Sequence, residues 1–167
     1  PLSCVWCHNP EGRRPEAELW WEPERCLRDG SCMAVCNAGA ISPAQPGLVD
    51  RTRCLECFEC ADACPTQALS RIGTAWSVDD IVREVTRYRP FYDRSNGGVT
   101  LSGGEPMQHM EFAAELLAQL RENRIHTLIQ TSGLFPLEPF LTRVLPNTNR
   151  IHFDIKLVDR ASHRRYC

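Results

Sequence analysis

The sequence predicts an α/β chain built of parallel β-α units, of which it supplies about half a sheet, with a cysteine-rich insert near the start. Three observations carry this. Strand and helix patterns alternate after residue 73, nine of the ten cysteines fall in the first 64 residues, and residues 26–70 hold an ungapped internal repeat. The 167 residues suffice for one domain of average size with a small insert, and a hydrophobic content of 43% allows a sizeable core.

Charge and hydropathy narrow the class. A formal net charge of −2 gives no support for binding driven by nucleic-acid phosphates. No apolar run approaches the ~20 residues of a membrane span. Neither nucleic acid nor membrane is expected as a partner. Many cysteines can mean a disulfide scaffold, but residues 74–167 read as an ordinary cytoplasmic α/β enzyme, so clustered metal ligation is the better account.

Residues 11–25, charged and Pro-containing around Trp20 and Trp21, read as an irregular connection. In the repeat, "CLRDGSCMAVCNAGAIS" from Cys26 aligns with "CLECFECADACPTQALS" from Cys54, bringing Cys32 onto Cys60, Cys36 onto Cys64 and Ala40 onto Ala68. It is too poor in large apolar residues to bury much core, so a metal cluster is expected to hold it together. Ser77 with Asp80 resembles a capping box and opens a helix with Ile81, Val82 and Val85 on one stripe, ending before Pro90. Val99–Leu101 reads as a strand running into a Gly-rich loop. Residues 107–122 carry Phe112, Ala113, Leu116, Leu117 and Leu120 at helical spacing. "HTLIQTSG" reads as a second strand, 136–145 as a short helix with Pro136 near its start, and "RIHFDIKLVD" as a third strand. The chain then stops at Cys167 within a further helical pattern, which suggests a fragment.

The second repeat has the spacing C-x2-C-x2-C-x3-C-P at Cys54, Cys57, Cys60, Cys64 and Pro65. This is the bacterial ferredoxin run, in which three thiolates wrap one [4Fe–4S] cubane and the fourth reaches the neighbouring cluster. A structural zinc site usually shows two pairs instead. The first repeat departs twice: Asp29 stands where the second cysteine belongs, and Asn37 replaces the proline. Crossed ligation gives one cluster Cys26, Asp29, Cys32 and Cys64, and the other Cys54, Cys57, Cys60 and Cys36. A carboxylate is a harder, weaker ligand for iron than a thiolate. A labile iron at Asp29 is therefore expected, or a three-iron cluster with Asp29 facing water.

Cys4-Val5-Trp6-Cys7, "TLSGGEP" and "FDIK" in one β-α chain resemble the radical S-adenosylmethionine (SAM) superfamily. More narrowly, "CVWCHNPE", the paired repeat, "GGVTLSGGEPM", "HTLIQTSG" and "FDIKLVD" resemble the glycyl-radical enzyme activating enzymes, relatives of pyruvate formate-lyase activating enzyme with a ferredoxin-like insert. The resemblance implies an incomplete (β/α) partial TIM-type barrel with an inserted two-cluster ferredoxin-like domain. The divisions are a cluster loop at 1–16, the insert at 17–73 and the barrel segment at 74–167. The family motif is C-x3-C-x2-C, which places its first cysteine one residue before Pro1. Cys4 and Cys7 are then the two catalytic cluster ligands present, and the chain as it stands is expected to be inactive.

The same resemblance assigns further roles. Three cysteines leave one iron open, and SAM chelates it. One electron yields methionine and a 5′-deoxyadenosyl radical, which takes hydrogen from a glycine of a partner glycyl-radical enzyme. A flavodoxin- or ferredoxin-type donor supplies the electron. Trp6 offers adenine an apolar face, with backbone contacts from Trp6 to His8, while His8 itself is not expected to ligate metal. Gly103 and Gly104 permit close backbone approach, and Glu105 accepts from the SAM ammonium. Thr131, Asp154, Ile155 and Lys156 complete the cofactor contacts, with Asp154 and Lys156 on one face of the third strand; the plain alternative for that pair is an internal ion pair. In pyruvate formate-lyase activating enzyme the aspartate matching Asp154 also helps hold a monovalent cation, and an acidic residue precedes the loop threonine; here that position is Gln130, whose neutral amide weakens cation binding. Met107 and Met110 read as helix packing, Arg160, His163, Arg164 and Arg165 as a solvated face, and Cys167 as an ordinary thiol. The alternatives are another radical SAM enzyme acting on a small molecule or peptide, and an electron-transfer protein of ferredoxin type. The latter leaves residues 74–167 without a role.

Overall fold

A computed structural model describes residues 2–14 and 16–167. Pro1, which opens the expected cluster loop, and Pro15 lie outside the described residues. Contacts divide the chain into two units, Glu16–Thr74 and Pro1–Pro15 with Ala75–Cys167. The whole is mixed α/β. No helix among the described residues is long and apolar enough to cross a membrane.

The first unit begins with strand β1 (Glu18–Trp21), which pairs antiparallel with β2 (Leu69–Ile72) from Glu18↔Ile72 to Trp21↔Leu69. The irregular connection expected at 11–25 is thus partly a strand. Its partner lies fifty residues on, so no local pattern announces it. Between the strands stand two helices of one turn each, α1 (Ser31–Ala34) and α2 (Glu59–Asp62). The repeat is a repeat of backbone as well as of sequence. Left-handed residues occur in matched pairs: Arg28 (φ 57°) with Glu56 (53°), Gly30 (82°) with Phe58 (63°), and Gly39 (56°) with Gln67 (55°). The turn bonds match too. Met33 N–H donates to Gly30 O at 3.0 Å and Ala61 N–H to Phe58 O at 2.8 Å, while Gly39 and Gln67 donate to Cys36 O and Cys64 O. Leu19, Ile41, Leu48, Val49, Cys60 and Leu69 form the buried centre.

In the second unit, Ser77 caps α3 (Val78–Thr86) as expected, its hydroxyl accepting from Asp80 N–H at 3.1 Å. Pro90 does not mark an end only. It occupies the first turn of a new helix, α4 (Arg89–Ser95), where a missing N–H costs nothing. β3 (Gly98–Leu101), α5 (Met110–Glu122) and β4 (His126–Thr131) follow. α6 (Leu137–Pro139) widens into a π turn at Phe140–Val144 and tightens again at Leu145–Asn147. β5 (Arg150–Phe153) and α7 (Arg160–Tyr166) complete the chain. The three strands are parallel in the order β3-β4-β5. α5 buries two adjoining stripes. Ala113 and Leu117 join Met107, Ile129, Phe140 and Val144, while Leu116 and Leu120 join Val78, Val82 and Ile125. Phe112, read as part of that stripe, is on the exposed flank. Met107 and Met110 pack as expected.

Candidate functional site

Parallel strands end on one edge of their sheet, and ligands of α/β folds bind beyond such carboxyl ends. Here the residues after β3, β4 and β5 and the cysteine loop line one cavity of about 350 Å³. Cys4, Trp6, Cys7 and His8 come from the cysteine loop, Gly103, Gly104 and Glu105 from the loop after β3, Thr131 from the end of β4, and Asp154 and Lys156 from the segment after β5. Ile155, grouped with them in the sequence reading, is exposed and not part of the lining. Trp6 is half exposed rather than in a core, tilted 42° to Tyr166 at 6.5 Å.

A close backbone approach and several hydrogen bonds hold the walls. Gly104 lies so close to the cysteine loop that a Cβ there would sit 1.9 Å from Gly12 O. The Arg13 guanidinium donates to the Cys4 carbonyl, and Gln108 Nε2 donates to Arg13 O at 3.4 Å. Glu105 joins the ends of two strands. Its Oε1 accepts from Thr131 Oγ1 at 2.7 Å and Met107 N–H at 3.3 Å, and its Oε2 accepts from Ser132 N–H at 2.9 Å and Ser132 Oγ at 2.8 Å. A carboxylate offers about four acceptor sites. Glu105, expected to accept from an ammonium group, therefore spends them inside the protein. Gly12, Arg13, Ser102 and Ser132 also line the cavity or its walls and escaped the sequence reading. Only the serine after "QT" carried a signal, its place in the second strand's loop.

Asp154 and Lys156 do not alternate on the third strand, because β5 stops at Phe153. They follow it as an ion pair, Nζ to Oδ2 at 2.5 Å, within the cavity wall. The Asp154 hydrogen bond raises the Lys156 ammonium above its ordinary range, with Cys4 and Cys7 adding to the effect. Two donors of the ammonium remain for a further anion. Ser102 Oγ donates to Gln130 Oε1 at 3.2 Å, which ties that amide to the β3 loop. Cys167 is not isolated. Ser3 N–H donates to its carbonyl at 2.7 Å, and desolvation together with a hydrogen bond with Cys4 raises its thiol.

The first unit holds the other thiols around volumes rather than at points. Among the described residues no three Cys, His, Asp or Glu side chains converge on a single metal ion. Instead Cys36, Cys54, Cys57 and Cys60 line a cavity of about 190 Å³ with Leu19, Ile41 and Phe58. A polynuclear cluster takes each thiolate on a separate iron, so its ligands surround a space. Burial pushes the Cys60 thiol up to about 11, against the Ala61 amide and with Cys36 and Cys54 nearby. Burial likewise raises Cys32, beside Cys26 and Cys64. Burial acts upward on Cys64 too, but hydrogen bonds from Leu69 N–H and the Thr66 side chain outweigh it and lower that thiol. Cys36, Cys54, Cys57 and Cys60 thus share one cavity, while Cys26 and Cys64 neighbour Cys32. The Trp21 indole N–H is buried without a partner among the described residues, on the core shared with these cysteines, as a donor awaiting a sulfur would be. Asp29 is exposed, like its counterpart Cys57, and its carboxylate accepts from Ser31 Oγ.

Comparison with known proteins agrees on iron–sulfur chemistry. Residues 18–65 match the 4Fe-4S dicluster domain, and residues 51–157 match the 4Fe-4S single cluster domain. The isethionate sulfite-lyase activating enzyme of Nitratidesulfovibrio vulgaris is 39% identical over 98% of this chain and 55% of its own length. The (2S)-3-sulfopropanediol sulfolyase activating enzyme of Bilophila wadsworthia is 42% identical over 99% and 56%. The benzylsuccinate synthase activating enzyme of Thauera aromatica is 35% identical over 98% and 51%. The chain spans about half the length of the curated relatives it matches.

Proposed function

Since this chain belongs to the 4Fe-4S single cluster family, among the glycyl-radical enzyme activating enzymes of the radical SAM superfamily, we propose that the protein reductively cleaves SAM and installs a glycyl radical on a partner enzyme. The observation that carries this is the one cavity that gathers Cys4, Cys7, Trp6, Gly103, Gly104, Asp154 and Lys156.

Cys4 and Cys7 would provide two of the three thiolates of a [4Fe–4S] cluster, which when bound would supply one electron and an open iron for the amino-acid end of SAM. The chain's own residues do the rest. Trp6 covers adenine, and His8 contributes its backbone rather than a metal bond. Gly103 and Gly104 let the backbone approach the ligand, and Glu105 keeps that loop locked to Thr131 and Ser132. Lys156 turns its remaining donors to the SAM carboxylate, while Asp154 orients it.

In this reading β3-β4-β5 begins a partial TIM-type barrel, and Glu16–Thr74 is a ferredoxin-like insert with two clusters. One takes Cys26, Asp29, Cys32 and Cys64, the other Cys54, Cys57, Cys60 and Cys36; the cavity lined by Cys36, Cys54, Cys57 and Cys60 supports this pairing. A flavodoxin- or ferredoxin-type protein supplies electrons in a reducing cytoplasm. The names of two relatives make isethionate sulfite-lyase and sulfopropanediol sulfolyase the first partners to try.

The test is anaerobic incubation of the full-length protein with SAM, a reductant and each candidate partner, read by EPR. A glycyl radical on the partner is the expected result. Cleavage of SAM without a glycyl radical on any partner points to a radical SAM enzyme with another substrate, and no cleavage at all overturns the reading.

A further inference from the structure

The two halves of the repeat align residue on residue without a gap and share their left-handed positions, so each residue around one thiol has a counterpart around the other. Cys36 and Cys64 are the crossing ligands of the two halves, and both are half-buried. Backbone amides act on both sulfurs: Ala40 N–H donates to Cys36 Sγ at 3.3 Å, and the Leu69 amide and, less strongly, the Ala68 amide bond to Cys64. Two residues beyond each thiol the halves part. Thr66 Oγ1 lies 3.7 Å from Cys64 Sγ, and the matching position in the first half is Ala38, which has no hydroxyl. Facing an iron-bound thiolate, a hydroxyl can act only as donor. A hydrogen bond to a ligating sulfur withdraws charge from it and favours the more negative, reduced cluster, so the potential rises.

We propose that the Thr66 hydroxyl sets apart the reduction potentials of the two clusters, raising the one that Cys64 serves together with Cys26 and Cys32. The inference rests on the two-cluster reading of Glu16–Thr74. An arriving electron then settles first on the Cys64 cluster, and the Cys36 cluster is reduced second. Asp29 also distinguishes the halves, so the evidence for Thr66 must come from variants that leave Asp29 in place.

The experiment is a redox titration of the reconstituted, full-length protein followed by EPR, with iron and sulfide counted beforehand. Thr66→Ala is expected to shift the higher of the two insert-cluster steps to more negative potential and leave the lower one unmoved. Thr66→Ser restores the higher step, because it keeps the hydroxyl. Ala38→Thr, the mirror change, shifts the lower step upward. Thr66→Ala that moves neither step, or moves both alike, overturns the proposal while the clusters remain countable. A wild-type protein whose iron is too little for two clusters in addition to the catalytic one overturns the underlying reading, and the proposal with it.

Discussion

The two units are held by different things. Ala75–Cys167 centres on Leu117, Leu120, Ile129 and Val144, all fully buried, on a thirteen-residue helix and a parallel sheet. Glu16–Thr74 centres on six buried residues, one of them Cys60, ringed by the half-buried thiols Cys32, Cys36, Cys54 and Cys64. Its helices α1 and α2 have four residues each, far below the length at which a helix is stable alone. One unit closes on a larger apolar core, the other on five aliphatic side chains with thiols set around them. The lesson is that packing and ligation are alternative ways of ordering a small chain, and each should fail under its own insult.

Removing iron is the largest such insult. Chelation under anaerobic conditions is expected to strip amide-exchange protection from the whole of Glu16–Thr74, because binding of the metal is also the folding free energy of such a site. Protection across α5 and β4 should survive. Loss of protection in both units alike would break the distinction. Leu117→Ala is the complementary insult. Leu117 is 0% exposed, so the variant is expected to lose about 2–5 kcal/mol in denaturant melts of the second unit. Iron content of the first unit should be unchanged.

How much of this contrast could be read from the chain alone depended on range. The Ser77 cap, the stripe of α5 and the strands β3 and β4 are set by neighbours within a few residues, and they stood in the pattern. The cysteine spacing likewise announced the iron–sulfur repeats, because ligand geometry is local. β1 was hidden because its partner β2 lies far along the chain, and α4 because Pro90 looks the same whether it ends one helix or starts another. Within the site, the residues lining the cavity were mostly legible as motifs. What each does was not, since four donors from three different residues converge on Glu105 only after the strands align. Arg13 and Gly12 carried no pattern at all; their importance is a matter of what lies across from them.

Two smaller changes sharpen the comparison inside the second unit. Gly104→Ala puts a Cβ against Gly12 O, so loop must part from loop. A cost of about 1–3 kcal/mol is expected, read as weakened SAM binding by equilibrium dialysis with little change in α5 protection. Binding unaltered by the alanine would show that the Gly12–Gly104 approach is not what shapes the cavity. Ser77→Ala removes the cap of α3 and is expected to cost about 1 kcal/mol in thermal unfolding. It should leave both cluster loading and SAM binding as they were.

The pairing of β1 with β2 has one more consequence. Glu18 faces Ile72 across a single ladder step, about 5 Å between Cα atoms. The chain therefore leaves this ladder at Ile72 beside the point where it entered at Glu18. A stretch with such neighbouring ends behaves as a cassette: a host loop accepts it by opening a few ångströms and can lose it by closing with a tight turn. Grafting Glu16–Thr74 into an unrelated surface loop, and splicing it out of this chain, become ordinary pieces of protein engineering.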